Sequence, residues 1–185
     1  MSKAVMLSIR PKWVEKIASG EKTIEVRKTK PKLDPPFKCY IYCTLPKYPH
    51  EDFIATDYPR PQFYGGGKVV GEFTCDQIID AWWDYVPDAI TREVTGGNLE
   101  ALDGTGMTDE ELFSYVGDSM RGHCYGWHIS NLLIYDQPRE LSEFQRATDP
   151  CDSCHAEYTW ECTDCKKLGG DIKRPPQSWC YVEEG

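Results

Sequence analysis

A chain of 185 residues with 40% hydrophobic and 12% aromatic side chains has apolar surface for a folded domain plus a small appendage, which argues against disorder. No apolar run approaches the roughly twenty residues needed to cross a bilayer, and the amino terminus lacks the charged-then-apolar order of a secretory signal, so the expectation is a cytoplasmic protein without a membrane partner. The net charge of −9 speaks against nucleic acid only as an average: residues 1–47 hold eleven Lys or Arg against four Asp or Glu, which either makes a basic face beside an acidic remainder or a solvated segment that binds nothing.

Val5, Leu7 and Ile9 alternate with Met6, Ser8 and Arg10, the period of a strand with one buried face. Pro11 ends it and suits the first turn of a helix, where the amide it lacks has no partner anyway. Trp13, Val14 and Ile17 then share one face of a short helix that Gly20 stops. After Gly20 the period returns to two, with Ile24 and Val26 pointing one way and Thr23, Glu25 and Arg27 the other, which predicts a strand over 23–28. If these two strands pair, Ser8, Arg10, Glu25 and Arg27 share one face with Lys22 at its entrance, giving a site of net positive charge with one carboxylate. The alternative is an exposed cross-strand ion pair of little energetic weight.

The prolines of 30–36 mark a connection, and Lys38 to Cys43 reads as a third strand whose Tyr40 and Tyr42 either stack on bases or fill half-buried sheet positions. Residues 45–67, rich in Pro, Tyr and Asp, form a long excursion. Gly65-Gly66-Gly67-Lys68 lacks the rest of a phosphate-loop pattern and enters a strand, Lys68 to Cys75, so it is a turn. From 76 to 118 acids dominate, with Arg92 the single base and helix-like starts at Gln77 to Trp83 and Thr108 to Val116. Thr108 followed by Asp109, Glu110 and Glu111 is a hydroxyl cap with acids in the first turn. Trp82 and Trp83 read as packing residues under this segment. Tyr125 to Ile129 and Leu132 to Tyr135 read as two further strands, with Trp127 and Ile129 inward and His128 opposite.

The string Gly20-Glu21-Lys22-Thr23-Ile24-Glu25-Val26-Arg27 after Ser8-Ile9-Arg10-Pro11 closely resembles the ASCH domain, a branch of the PUA-like small β-barrels. Lys68-Val69-Val70-Gly71-Glu72-Phe73, Tyr125-Gly126-Trp127-His128-Ile129-Ser130 and the close at Tyr135 to Phe144 extend the resemblance over about 1–145. It implies an α+β fold, a small PUA-like mixed β-barrel with short helices, carrying insertions at about 45–67 and 76–120. It also implies an RNA- or nucleotide-binding function with single-stranded RNA as the partner. Lys22, Arg27 and Arg10 would contact phosphate or base and Glu25 a donor edge, with Ser8 and Thr23 in the same cleft.

Two other functions stay open. ASCH relatives include a small amidohydrolase acting on acetylcytidine through a lysine, a hydroxyl and an acid; Lys22 matches the lysine of its GxKT string, and Glu25 stands where its hydroxyl would be. An enzyme of this kind, or a ribonuclease, would use Lys22 and Glu25 as catalytic residues. An ordinary Lys22–Glu25 ion pair keeps the amine protonated, however, so the expectation is no deacetylation. The third function is a protein-interaction adaptor whose acidic segment is the working surface.

Nine cysteines, an odd number, fit reduced thiols and metal ligands better than a disulfide framework. Cys151 with Cys154 and Cys162 with Cys165 form two CxxC pairs seven residues apart, the spacing with which two knuckles complete a tetrahedral thiolate shell for Zn2+. A closed four-sulfur shell leaves no place for water, so this zinc is structural. His155 or Cys180 could replace one ligand. Residues 146–185 are then a zinc-knuckle excursion whose end, with Trp179, Tyr181 and Val182, returns to the barrel as an edge strand.

Overall fold

The structure is a computed structural model that describes residues 3–55, 63–87, 92–117, 121–147 and 170–184. In chain order its main elements are β1 (Lys3–Ile9), α1 (Pro11–Ala18), β2 (Ile24–Arg27), β3 (Phe37–Cys43), β4 (Ile54–Ala55), β5 (Phe63–Tyr64), β6 (Lys68–Pro87), β7 (Arg92–Gly97), α2 (Asp109–Val116), β8 (Arg121–Arg139), β9 (Gln145–Arg146), β10 (Gly170–Asp171) and β11 (Trp179–Glu183). Strand therefore dominates, with two α-helices among the described residues. No helix there is long and apolar enough to cross a membrane. The chain forms two compact units, one of Met1–Glu15, Phe37–Phe73 and Leu132–Gly185, the other of Lys16–Pro36 and Thr74–Asn131.

In the first unit the strands follow the order β10-β9-β11-β1-β3-β6-β8. β1 lies between β11, antiparallel, and β3, parallel, so that Leu7 stands opposite both Trp179 and Ile41. The one-faced alternation expected for β1 does not appear, because Ala4, Val5, Met6 and Leu7 are all buried; a central strand covered on both faces reads as a continuous apolar run. Met6, Tyr40, Tyr42, Val69, Phe144 and Val182 pack together, with the Tyr40 ring edge-on to Phe144 at 4.9 Å. Tyr40 and Tyr42 are thus core residues rather than a platform for bases. Cys180 is buried in the same cluster, and burial pushes its thiol up.

The carboxyl-terminal strand β11 pairs along β1, and β9 pairs with both β11 and β10. Gly170 stands opposite Arg146 and Asp171 opposite Gln145, so the chain leaves and re-enters the sheet at adjacent positions. The four expected zinc ligands, Cys151, Cys154, Cys162 and Cys165, lie outside the described residues, as does His155.

The second unit orders its strands β7-β6-β8-β2. Residues 77–83, expected to start a helix, instead continue β6 to Pro87, where β7 pairs with it from Trp83 opposite Gly97 to Pro87 opposite Arg92. Ile78, Ile79, Trp82 and Trp83 are β-branched or aromatic residues that suit a pleated surface, and pairing of β6 with β8, joined by β7 from Trp83 on, outweighs a weak helical pattern. β8 is likewise one strand where two were expected, because Asn131 takes the break within it at φ +48°, a conformation Asn tolerates better than most residues.

Trp83 is buried with Phe113 and Leu112 of α2, Cys124 of β8 and Ile24 and Val26 of β2, while Trp82 is exposed. Helix α2 begins as its sequence dictates: Thr108 Oγ1 accepts the Glu111 amide at 3.2 Å and Glu111 Oε2 accepts the Thr108 amide at 3.1 Å.

The expected barrel is not closed: the described strand path ends at β10 and at β2, with β4 and β5 pairing separately. Closure needs a strand on every edge, and the outer edge of β2 is already occupied at Ile24. The Ile24 amide donates to the Gly104 carbonyl at 3.1 Å, and the Ile24 carbonyl accepts the Lys22 ammonium at 2.8 Å.

Two substitutions should separate capping from packing. Thr108→Ala removes one helix-cap hydrogen bond and should cost about 1 kcal/mol in urea unfolding. Gly122→Ala would drive a methyl group into the Trp83 indole and should cost up to about 3 kcal/mol, provided the m-value is unchanged.

Candidate functional site

Gly20, at φ +79°, ends α1 and turns the chain so that the Lys22 amide donates to the Lys16 carbonyl at 2.9 Å. This fixes the start of β2, whose residues pair antiparallel with β8: Glu25 opposite Trp127 and Arg27 opposite Tyr125. Glu25 and Arg27 lie two apart and so share one face, on which the Glu25 carboxylate is held between two cations. Arg27 Nη2 meets Glu25 Oε1 at 2.8 Å, and Lys22 Nζ lies 3.3 Å from Glu25 Oε2. The side chains of Lys22, Arg27 and Glu25 are only 1%, 7% and 9% exposed, so these charges interact in a medium far less polar than water.

The Lys22 ammonium is further held by the carbonyls of Ile24 at 2.8 Å and Thr105 at 2.7 Å. Burial pushes its pKa below the usual lysine value of 10.5; Glu25 works against that shift, while Arg27 and Lys16 add to it. The cluster, fully ionised, carries two positive charges against one negative. Its lysine, whose three donors are directed at the Ile24 and Thr105 carbonyls and the Glu25 carboxylate, releases a proton more readily than a solvated one.

The loop that receives Lys22, Gly104-Thr105-Gly106, was not singled out from the sequence. Its two glycines sit at φ +97° and +64°, a turn that side-chain-bearing residues seldom adopt, and the Gly106 carbonyl accepts the Lys16 ammonium at 3.0 Å. Two glycines around a threonine are a detectable turn signal, but nothing local says that this turn lies against residue 22. Tyr115 of α2 was missed as well. Burial pushes its phenol up, and the charges of Arg27 and Glu25 both act on it.

The six expected nucleic-acid contacts divide. Lys22, Thr23, Glu25 and Arg27 gather in the second unit, with Thr23 exposed beside Gly104. Ser8 and Arg10 belong to the first unit, where Ser8 Oγ donates to the Pro176 carbonyl at 2.6 Å and Arg10 is exposed. The expected pairing of the strands around Ser8 and Glu25 does not form, because β3 and β11 take both edges of β1 and β2 pairs with β8. The alternative of an exposed ion pair fails too, since the pair is buried.

Three carboxylates of the acidic segment pair across the sheet: Asp76 with His128 and Asp80 with His123, both at 2.7 Å, and Asp84 with Arg121 at 3.0 Å. His128 thus has a carboxylate partner, which its strand position alone did not reveal. The His128 hydrogen bond holds the Asp76 carboxyl below the usual carboxylate range. Among the described residues no group of three or more His, Cys, Asp or Glu is placed to hold a metal ion.

No protein-family model and no curated protein matches the chain. Among solved structures it is similar to a mutant of ZmASCH, an ASCH protein from Zymomonas mobilis, with a TM-score of 0.54 and 14% identity over 99% of this chain and 92% of that one. The ZmASCH structure without the mutation gives 0.47 and 16%, over 98% and 88%. At such identity the likeness is one of fold, and the chain has an ASCH-like fold.

The carboxylate should be the most sensitive member of the cluster. Glu25→Ala leaves two buried cations facing each other and should cost about 3–5 kcal/mol in urea unfolding, more than Lys22→Met, which leaves Glu25 paired with Arg27. Because the folded Lys22 pKa is lowered, the unfolded chain holds the extra proton in the window from that pKa up to 10.5. Stability from this group therefore rises with pH through that window. Unfolding at a series of alkaline pH values should show the wild type gaining on Lys22→Met.

Proposed function

We propose that the chain is an RNA- or nucleotide-binding protein in which Lys22, Glu25 and Arg27, with Thr23 at the rim, contact a phosphate or a base edge. The observation that carries this reading is the buried cluster itself. A buried ion network is seldom more stabilising than apolar residues of the same volume, so stability gives little reason to keep two cations and a carboxylate on a sheet. A buried lysine with a lowered pKa between a carboxylate and a second cation is an arrangement that clusters at binding and reacting sites, which supports the reading. Arg27 supplies a planar donor fork suited to phosphate, and Glu25 an acceptor for a base amine. The resemblance of the Gly20 to Arg27 string to ASCH domains favours RNA as the ligand.

Titration of a labelled single-stranded RNA should show weak binding that falls with added salt. Arg27→Gln and Lys22→Met should each reduce it. Affinity unaffected by both substitutions would take the cluster out of the interface.

One observation favours a second reading, a hydrolase acting on a modified nucleoside. Desolvation lowers the Lys22 pKa, so its amine is closer to serving as a base than an ordinary ion pair would make it. Incubation with acetylcytidine followed by chromatography decides: cytidine release that is lost in Lys22→Met establishes the hydrolase, and no release removes it.

The cysteine pairs Cys151/Cys154 and Cys162/Cys165 are proposed to hold one structural Zn2+. Four thiolates at CxxC spacing are a donor set suited to zinc, and the binding energy of such a unit is also its folding energy. Protein purified without chelator should carry one zinc by elemental analysis, and Cys151→Ser/Cys154→Ser should lose it. Wild-type zinc content in that variant would refute the assignment.

A further inference from the structure

Beyond Arg27 the chain emerges from the buried cluster onto the surface of the second unit, where Lys28 and Lys30 are both exposed. Each ammonium rests on a tyrosine. Lys28 Nζ lies 5.6 Å from the ring centroid of Tyr115, and Lys30 Nζ 5.1 Å from that of Tyr125. Tyr125 stands opposite Arg27 across the β2–β8 pair, and Tyr115 feels the charges of Arg27 and Glu25. Neither Lys28 nor Lys30 has a carboxylate partner among the described residues, whereas nearby Arg121 and His123 are matched by Asp84 and Asp80.

From this arrangement we infer that the two lysine–tyrosine couples are a landing surface for single-stranded RNA, which leads its backbone past the Lys22–Glu25–Arg27 cluster. The inference rests on the RNA-binding reading of that cluster and adds the surface that brings the strand to it. An exposed lysine ordinarily loses much side-chain freedom when it grips a phosphate; one already resting on an aromatic ring has lost part of it beforehand. A phosphate drawn to either ammonium brings its neighbouring base within reach of the adjoining ring, and every base has a face that can stack. The carboxylates of Asp80 and Asp84 flank this surface on β6, which disfavours a broad duplex carrying charge on both strands.

The test is fluorescence anisotropy of a labelled oligouridine RNA and of a duplex of equal length, with the full chain at several salt concentrations. Lys28→Ala/Lys30→Ala should weaken single-strand binding about tenfold and flatten the log–log salt slope by about 1.4, the counterion release of two phosphate contacts. Tyr125→Leu should weaken it about five- to a hundredfold by loss of stacking, while Tyr125→Phe stays close to wild type. Lys173→Ala/Arg174→Ala removes two exposed basic side chains of the first unit and should change little.

Equal losses in the two double variants would overturn the surface by showing only a general charge effect, and duplex binding as tight as single-strand binding would overturn the choice of partner. If Arg27→Gln abolishes binding while Lys28→Ala/Lys30→Ala does not, the surface is wrong and the cluster stands. The reverse pattern keeps the surface and removes the cluster from the interface. Absence of binding by the wild type at low salt overturns both.

Discussion

One carboxylate shared by two cations sets the character of the second unit. Glu25 holds Arg27 through one oxygen and Lys22 through the other, and all three are shut away from water. In bulk solvent such contacts would be worth little; inside a protein each charge must be answered or its desolvation goes uncompensated. The turn at Gly20, the register of β2 on β8 and the glycine-flanked Thr105 loop can be seen as the geometry that keeps those answers in place.

The same balance bears on what the site can do. Glu25 and burial pull the Lys22 amine in opposite directions, and burial prevails. Protonated, the amine is held by Glu25 and two carbonyls; neutral, it can take up a proton, so the ion network and any acid–base chemistry are two protonation states of one arrangement. The closed shell of carbonyls around the ammonium ties both to the same requirement, that the loop at 104–106 stay where it is.

Much of the local structure could be read from the sequence, because it is written at short range. Pro11 and Gly20 bracket α1, the alternation of Ile24 and Val26 marks β2, and Thr108 with Glu111 caps α2. What escaped the sequence is long-range. The helix-like stretch after Gln77 became strand because β6 runs on beside β8 and meets β7 from Trp83, and β1 lost its wet face because β3 and β11 enclose it and both its faces are covered. Of the site, Lys22, Glu25 and Arg27 were legible from their spacing within one motif. Thr105 and Tyr115 were not, since their approach depends on a loop and a helix more than seventy residues away along the chain. The placement of Ser8 and Arg10 misled for a similar reason: sharing a motif with Glu25 did not make their strands partners.

The bond from Lys22 to the Ile24 carbonyl has a consequence of a different kind. β2 is an outer strand, and an outer strand with open amide and carbonyl groups invites another chain to add to it. Here the Ile24 carbonyl is capped by the ammonium and the Ile24 amide by Gly104, so at this residue the edge offers a newcomer a charge and a loop in place of a ladder. Natural sheets often guard an exposed margin with a lysine; in this protein the guarding lysine is turned inward and belongs to the buried ion cluster. Selection for solubility and selection for function would then fall on the same side chain, and a change that relaxed one would be felt by the other.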